Sequence, residues 1–434
     1  MGNDNNARQF VCCSNIRSKS HKVRQYVTRF QENLEPTGQH KPRISLKTLI
    51  YAVITITWGF PAAIFQRVLR PWVHIRTGWF SQGSRLGHLV LESDLYMARR
   101  AASHDGKIDF FGVAGKPANS FFFKILRAEL HFLPKIITYP VHAANCALPG
   151  GHAYRVPLAG RPTDLRILND VPAFLGPEVD LQKCMMSRKL LSDLKIPEDA
   201  RIVCLSVRDG AFGRHILPRV PQYFAKYRDS SISSYVSAAE MLAERGYWVV
   251  RMGREVEEEI QSSHRRIIDY ATSEFKSDFA DIALSQRCRF AITSDSGAST
   301  LPIYFRKPLA IPNLGGFTGL VQGKALSMVQ FKGFYSQKHS RLLSLRELIV
   351  EGVTEFDNQS QFDALGISHI DNSEEDLLNL ARDICNLVEH KWFPTPSYFE
   401  LKRRFDASVE SFRPGGVSAQ LCTGWALRNE YFFS

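Results

Sequence analysis

The sequence is poor in several features that would place it quickly. Its eight cysteines include no Cys-x-x-Cys pair, no histidine spacing suits zinc, and there is neither an internal repeat nor a low-complexity tract. A zinc module and a disulfide framework are therefore excluded, and a reduced compartment is the simpler reading. Cys204, inside Arg-Ile-Val-Cys-Leu-Ser-Val, reads as a small core residue. Only one run reads as membrane-grade, the eighteen uncharged and mostly apolar residues at positions 48–65. A multipass membrane protein is excluded with it.

What is present describes an ordinary globular body with an unusual front. The 434 residues are 44% apolar and 23% charged, enough to bury cores in two or three domains. Lys and Arg number 55 against 43 for Asp and Glu, a formal charge of +12. Half of that excess lies in the first 48 residues, where nine basic side chains face only Asp4, Glu32 and Glu35. Residues 1–47 thus read as a basic flexible arm suited to an anionic surface. It has few aromatics and no nucleic-acid motif follows it, so nucleic acid is not an expected partner.

Residues 48–70 read as a hydrophobic anchor segment. The uncharged run is diluted by three Thr, Gly59 and Pro61, which makes a marginal spanning helix. No cleavage site follows it, so it is not a signal peptide. The positive-inside rule would hold the arm in the cytosol and push the body outside. An interfacial or re-entrant anchor, bent near Gly59 and Pro61, keeps both ends cytosolic. The alternative is a buried first helix of the body.

Beyond it the pattern alternates strand and helix. Strands are expected over 72–76, 107–113 and 134–139, with helices over 89–100 and 121–132; clusters of Pro and Gly over 148–177 suggest a long loop. A helix follows over 181–194, and a second block opens on the near-continuous apolar strand 201–207. It continues with helix 233–246, strands 247–252 and 267–271, helix 278–285, strand 289–293, helix 297–305, strand 308–312 and helix 375–390. The tail from Lys391 reads as irregular. The expected class is α/β with two Rossmann-like doubly wound domains facing a cleft.

The strongest local signal is Arg289-Phe-Ala-Ile-Thr-Ser-Asp-Ser-Gly-Ala-Ser-Thr300. An apolar strand ends in Ser294, Asp295, Ser296 and Gly297, and a helix begins at once, so the amides of Gly297, Ala298 and Ser299 suit a phosphate. A plain helix cap is the alternative. This strand, turn, helix and Lys-Pro pattern resembles the donor diphosphate site of GT-B glycosyltransferases, the heptosyltransferase-like ones in particular. A wider set is similar to a family of bacterial glycosyltransferases of cell-surface polysaccharide synthesis: Arg85-Leu-Gly-His-Leu89, Tyr227-Arg-Asp-Ser-Ser-Ile232 with Tyr235, Gly246-Tyr-Trp-Val-Val-Arg-Met-Gly253, Ser277-Asp-Phe-Ala-Asp-Ile282 and Thr293-Ser-Asp-Ser-Gly297.

The resemblance covers about residues 72–390. It implies an acceptor domain over 71–190, a nucleotide-sugar donor domain over 191–390 and a C-terminal tail over 391–434. The implied reaction is inverting transfer from a nucleotide sugar to a glycan or lipid-linked acceptor at the cytoplasmic face of the inner membrane, where the anchor and arm would hold the enzyme. No Asp-x-Asp pair is present, and neither metal nor other cofactor is expected. Arg208, Arg214, Arg219, Arg228 and Arg251 are candidates to meet the diphosphate, with His215 and Gly253 beside them; solvated loop arginines are the alternative for some. His88 is the candidate general base and Glu92 its reserve, with Asp94 a further one; a structural or acceptor-binding histidine is the alternative. Arg85 could hold an acceptor phosphate or carboxylate. Asp278 and Asp281 could cap a helix, and Asn313-Leu-Gly-Gly-Phe317 could line a sugar or base pocket or simply turn. Competing readings are a nucleotide-sugar epimerase or hydrolase of the same fold and a non-catalytic membrane-attached scaffold.

Overall fold

The protein is described here from a computed structural model covering residues 46–103, 106–158, 165–168, 171, 184–211, 214, 222–320, 327–413 and 419–434. Nearly all of the basic arm, residues 159–164, 169–170 and 172–177 of the expected loop, His215 and Arg219 lie outside the described residues.

In chain order the first half contains α1 (Leu46–Ile54), a π-helical turn (Thr55–Gly59), α2 (Phe60–Leu69), β1 (Ile75–Phe80), α3 (Leu86–Ala102), β2 (Ile108–Val113), α4 (Ser120–Glu129), β3 (His131–Phe132) and α5 (Lys135–Ala147). The chain forms two compact units. The first holds α1, α2, β1, β2, β3 and α5, whereas α3 and α4 belong with the later chain in the second.

In the first unit β1, β2 and β3 make a parallel sheet in that order, with Ile75 opposite Ile108 and Phe110 opposite His131. The first strand starts later than the alternation at 72–76 predicts, because Trp72 closes a turn after α2 and Gly78 is accepted within the strand. A Cβ on Gly78 would lie 2.5 Å from the Phe111 ring, so only glycine lets that ring pack there. The strand expected over 134–139 is instead the start of α5. Ile136, Ile137 and Thr138 favour a strand locally, but Pro134 supplies a helix entry and Tyr139 and Ala143 bury against Trp79. Packing overrides propensity there. At Gly59 and Pro61, where a bend is expected, the chain stays helical: Gly59 and Phe60 hold helical backbone angles and α2 follows the π turn without a break.

The second unit continues through α6 (Met185–Asp193), β4 (Arg201–Ser206), α7 (Val236–Glu244), β5 (Tyr247–Met252), β6 (Ile267–Ile268), α8 (Asp278–Arg287), β7 (Phe290–Thr293), α9 (Thr300–Tyr304), β8 (Leu309–Leu314) and β9 (Ser327–Phe331). There follow β10 (Gly333–Ser336), β11 (Arg341–Leu342), β12 (Ile367–Ile370), α10 (Glu374–Val388), α11 (Pro396–Glu410), β13 (Gln420–Leu421) and α12 (Thr423–Arg428). Seven parallel strands run in the order β13-β9-β8-β7-β4-β5-β6. The sequence β4, β5, β6 grows one way and β7, β8, β9 the other. The reversal between β4 and β7 opens a crevice at their carboxyl ends, where ligands settle in such sheets. The strands are apolar on both faces because helices cover both.

The C-terminal region is not irregular. From Lys391 onward it supplies α11, the edge strand β13 beside β9, and α12, and it buries Leu401, Phe405, Trp425 and Phe432. Its apolar residues are spread among Arg403, Arg404 and Arg413, which weakens the periodic signal although the aromatics pack on Phe331 of β9.

Candidate functional site

The crevice is built from the ends of β4 and β7. Ser206 and Thr293 are paired in register, and the Ser294 amide donates to the Ser206 carbonyl at 2.9 Å. Ser294 Oγ, fully buried, accepts from the Arg208 amide at 2.7 Å. This serine therefore ties the two strand ends together and offers nothing to a ligand. Ser296 caps its own turn by accepting from the Ala298 amide at 3.3 Å, so that amide is engaged too. The helix expected over 297–305 is a 3-10 turn, Gly297–Ser299, followed by α9. Ser299 Oγ donates back to the Ser296 carbonyl at 2.7 Å. Gly297 is the residue of this turn that stands exposed.

Asp295 is held by Arg228, whose Nε lies 2.8 Å from the Asp295 carbonyl oxygen and 3.0 Å from its carboxylate. Burial works against the Arg228 charge, but the attraction and hydrogen bond of Asp295 together with the pull of Tyr227 and Asp229 outweigh it and hold the guanidinium above its ordinary range. Gly319 leans on the same carboxylate: a Cβ there would lie 2.7 Å from Asp295 Oδ1. Arg208 pairs with Asp229 at 2.9 Å. Burial and the neighbouring Arg228 push Arg208 down from its ordinary value, and Asp229 is pushed up by burial. The floor of the crevice is thus two arginines whose charges are largely answered by Asp229 and Asp295. Lys332, almost fully buried, donates to the Asp229 carbonyl at 2.6 Å and pairs with Asp371 at 2.7 Å.

The decisive contact comes from α3. Its first turn packs on the crevice, and a Cβ on Gly87 would lie 3.2 Å from Gly297 Cα, while one on Gly297 would lie 3.1 Å from the Gly87 amide nitrogen. Two glycines let the two backbones meet. His88 follows directly. Its Nδ1 lies 3.0 Å from Glu92 Oε1 one turn along the helix, with the imidazole partly exposed and the carboxylate 4% exposed. Burial pushes the Glu92 carboxyl up, and the bond from His88 pulls it back. A carboxylate on Nδ1 fixes the tautomer that leaves Nε2 with its lone pair. Arg85 stands at the N-cap of α3 in extended conformation.

Other sequence-predicted residues have structural work. Asp94 is not a reserve base: it is fully buried and takes two hydrogen bonds from Arg306, at 2.6 and 2.9 Å. Arg251 is also fully buried, bonded to Asp269 at 3.2 Å and to the Glu258 carbonyl at 2.9 Å, which makes it a strut under β5. Gly253 allows the tight exit from β5, where a Cβ would meet Val256 at 2.6 Å. Arg214 is exposed and pairs with Glu257. Asn313 is buried at positive φ; its amide donates to Asn372 Oδ1 at 2.8 Å, its own Oδ1 accepts from the Asn372 amide at 2.7 Å, and its Nδ2 donates to Ser230 and Tyr235. Ser277, not Asp278 or Asp281, caps α8. Asp278 accepts from the Ser120 amide at 2.7 Å.

Asp281 accepts from Tyr270 Oη at 2.9 Å, and burial with the nearby Asp278 charge pushes its carboxyl up to about 6. Its contribution to stability is therefore full below the unfolded-state value of about 3.9 and is lost as pH rises through 6. Asp281→Asn keeps the acceptor for Tyr270 without the charge. The melting temperature of the variant, relative to the parent, is expected to rise between pH 4 and 6 and to level off above; a difference that stays flat across that range contradicts the raised carboxyl.

No protein-family model and no curated protein match this sequence. Solved structures similar to it include a glycosyl transferase of family 9 from Veillonella parvula, with 12% identity over 71% of this chain and 96% of that one and a TM-score of 0.41. ADP-heptose lipopolysaccharide heptosyltransferase II of E. coli gives 12% identity over 59% and 89%, with a TM-score of 0.37. The iron-containing dodecameric glycosyltransferase TibC of enterotoxigenic E. coli gives 14% identity over 73% and 76%, with a TM-score of 0.34. These likenesses are distant, and no residue role passes from them to this chain.

Proposed function

We propose that the protein is a glycosyltransferase that moves a sugar from a nucleotide-sugar donor to a glycan or lipid-linked acceptor, inverting the anomeric centre without a metal. The observation that carries the reading is the meeting of Gly87 and Gly297, which brings the His88 and Glu92 pair of one turn against the phosphate-suited turn of the other. In this reading His88 Nε2 takes the proton of the acceptor hydroxyl as that oxygen attacks the anomeric carbon, and the nucleoside diphosphate leaves with the electrons of the broken bond. Glu92 keeps the imidazole oriented and steadies the cation that forms. The exposed Gly297 backbone, with Arg208 behind it, meets the departing charge. Arg85 is assigned to the acceptor. The basic arm and the apolar helices support a reaction at the cytoplasmic side of the inner membrane, in surface polysaccharide synthesis.

The test is ligand-dependent melting of the full chain with UDP, GDP, ADP, CMP and their common sugar conjugates. A ligand at 100 times its Kd stabilises by about 2.7 kcal/mol. One nucleotide class is expected to raise the melting temperature, and Gly297→Val to abolish that shift, because its side chain would be driven into the Gly87 backbone. A folded protein that responds to none of them removes the transferase reading and leaves the Ser-Asp-Ser-Gly turn an ordinary cap.

A further inference from the structure

The first unit carries an apolar surface on two neighbouring helices. Residues Leu49–Leu69 form a continuous helical run of 21 residues, the only one among the described residues long and apolar enough to cross a membrane, and just 22% of its apolar window is buried. The buried positions Thr55, Gly59, Ala63 and Gln66 recur every three or four residues and so make one face. That face is fastened to α5. A Cβ on Gly59 would run into Pro140, Trp58 Nε1 donates to the Ile137 carbonyl at 3.3 Å, Asn145 donates to Gln66 at 2.7 Å, and Arg67 donates to Asn145 at 2.9 Å.

The opposite face holds Leu46, Ile50, Val53, Ile64 and Val68, each about half exposed or more, and no charged residue lies between positions 48 and 66. The start of α5 continues the surface with exposed Ile136 and Ile137. Cations stand at its margin: Arg67 and Arg70 close the helix, and Lys135 lies 5.3 Å over the Tyr51 ring. Trp72, 80% exposed, adds an interfacial aromatic just past the helix end. An uncharged apolar face rimmed by Arg, Lys and Trp matches the boundary between acyl chains and anionic headgroups. A spanning orientation would surround the helix with lipid along its length. Here one side is covered by α5, and carrying the run across would drag α5 and its Asn145 into hydrocarbon.

We propose that the outward faces of α1, α2 and the start of α5 form an in-plane seat on an anionic lipid bilayer, with Arg67, Arg70 and Lys135 as its cationic margin. The helix lies on the membrane and does not cross it. This deepens the membrane-side reading given above and rests on it only for the purpose the seat serves.

The test is co-flotation of the full chain with vesicles of phosphatidylcholine alone or mixed with phosphatidylglycerol. Binding is expected on the mixed vesicles, weakened by salt, and reduced about tenfold or more by Ile50→Glu with Ile64→Glu and equally by Ile136→Glu with Ile137→Glu. Each variant is first shown to keep the parent's cooperative melt. Loss with the first pair alone overturns the two-helix seat in favour of a single inserted helix. No flotation, with either pair converting a dimer to a monomer in light scattering, assigns the face to a second copy of the chain. No flotation and no change of mass also overturns it. Nucleotide-dependent melting is read on the same samples, so a failed seat with intact nucleotide response spares the transferase reading, and the reverse result spares the seat.

Discussion

His88→Ala is expected to lower turnover about 10²–10⁴-fold, the usual worth of a positioned general base, while leaving the nucleotide-induced melting shift in place. The imidazole sits on the first turn of α3, beside the Gly87 and Gly297 contact and not within the turn assigned to the diphosphate. Its loss therefore removes a proton acceptor and little donor affinity. In the proposed mechanism Glu92 acts through it. Glu92→Gln keeps the shape and a hydrogen-bonding group but weakens the hold on the imidazolium, so a loss of about tenfold in kcat with KM unchanged is expected. In a His88→Ala background the same change should add almost nothing, because the two work as one unit. Release of nucleoside diphosphate under saturating donor reads all three. Wild-type turnover in His88→Ala places the base elsewhere; independent losses show that Glu92 has a task of its own.

Arg306→Met is expected to cost about 3–5 kcal/mol of stability. Arg306 holds positive φ at the end of α9, with its guanidinium on both oxygens of Asp94 and on the carbonyls of Val171, Ile303 and Tyr304. Removing it takes both guanidinium bonds from a carboxylate with no exposure in the middle of α3. The double change Arg306→Met with Asp94→Leu removes that charge and should recover most of the loss, since an apolar pair can replace a buried ion pair at little cost. Urea unfolding of the parent, the single and the double variants separates the cases. A double variant as unstable as the single one shows that packing around Arg306, not the buried Asp94 charge, carries the effect.

Much of the architecture was readable because its signals are local. The near-continuous apolar strand at Arg201 and the Gly246 stop after α7 are set by neighbours in sequence, and Gly246 indeed holds a φ of +88°. The candidate base and turn were readable for the same reason, as short polar breaks after apolar runs. What escaped depended on distant partners. α5 reads as a strand until Trp79 is known to cover Tyr139, and β13 has only two residues whose partner lies about ninety positions back. Asp94 and Arg251 read as site groups in the sequence because charge next to a motif suggests chemistry. Their complete burial against Arg306 and Asp269 is invisible without the fold.

The wiring of α3 bears on synthesis. Asp94 leaves the ribosome long before its partner Arg306, 212 positions later, and the edge strand at Gln420 follows by more than a hundred again. A nascent chain therefore carries α3 without Arg306 for 212 residues of elongation, and a growing sheet whose edge awaits β13. Such long-range closure is slow and exposes aggregation-prone surface. Chaperone dependence in the cell, and poor recovery from denaturant in its absence, should trace to that delay rather than to weak packing in the finished protein.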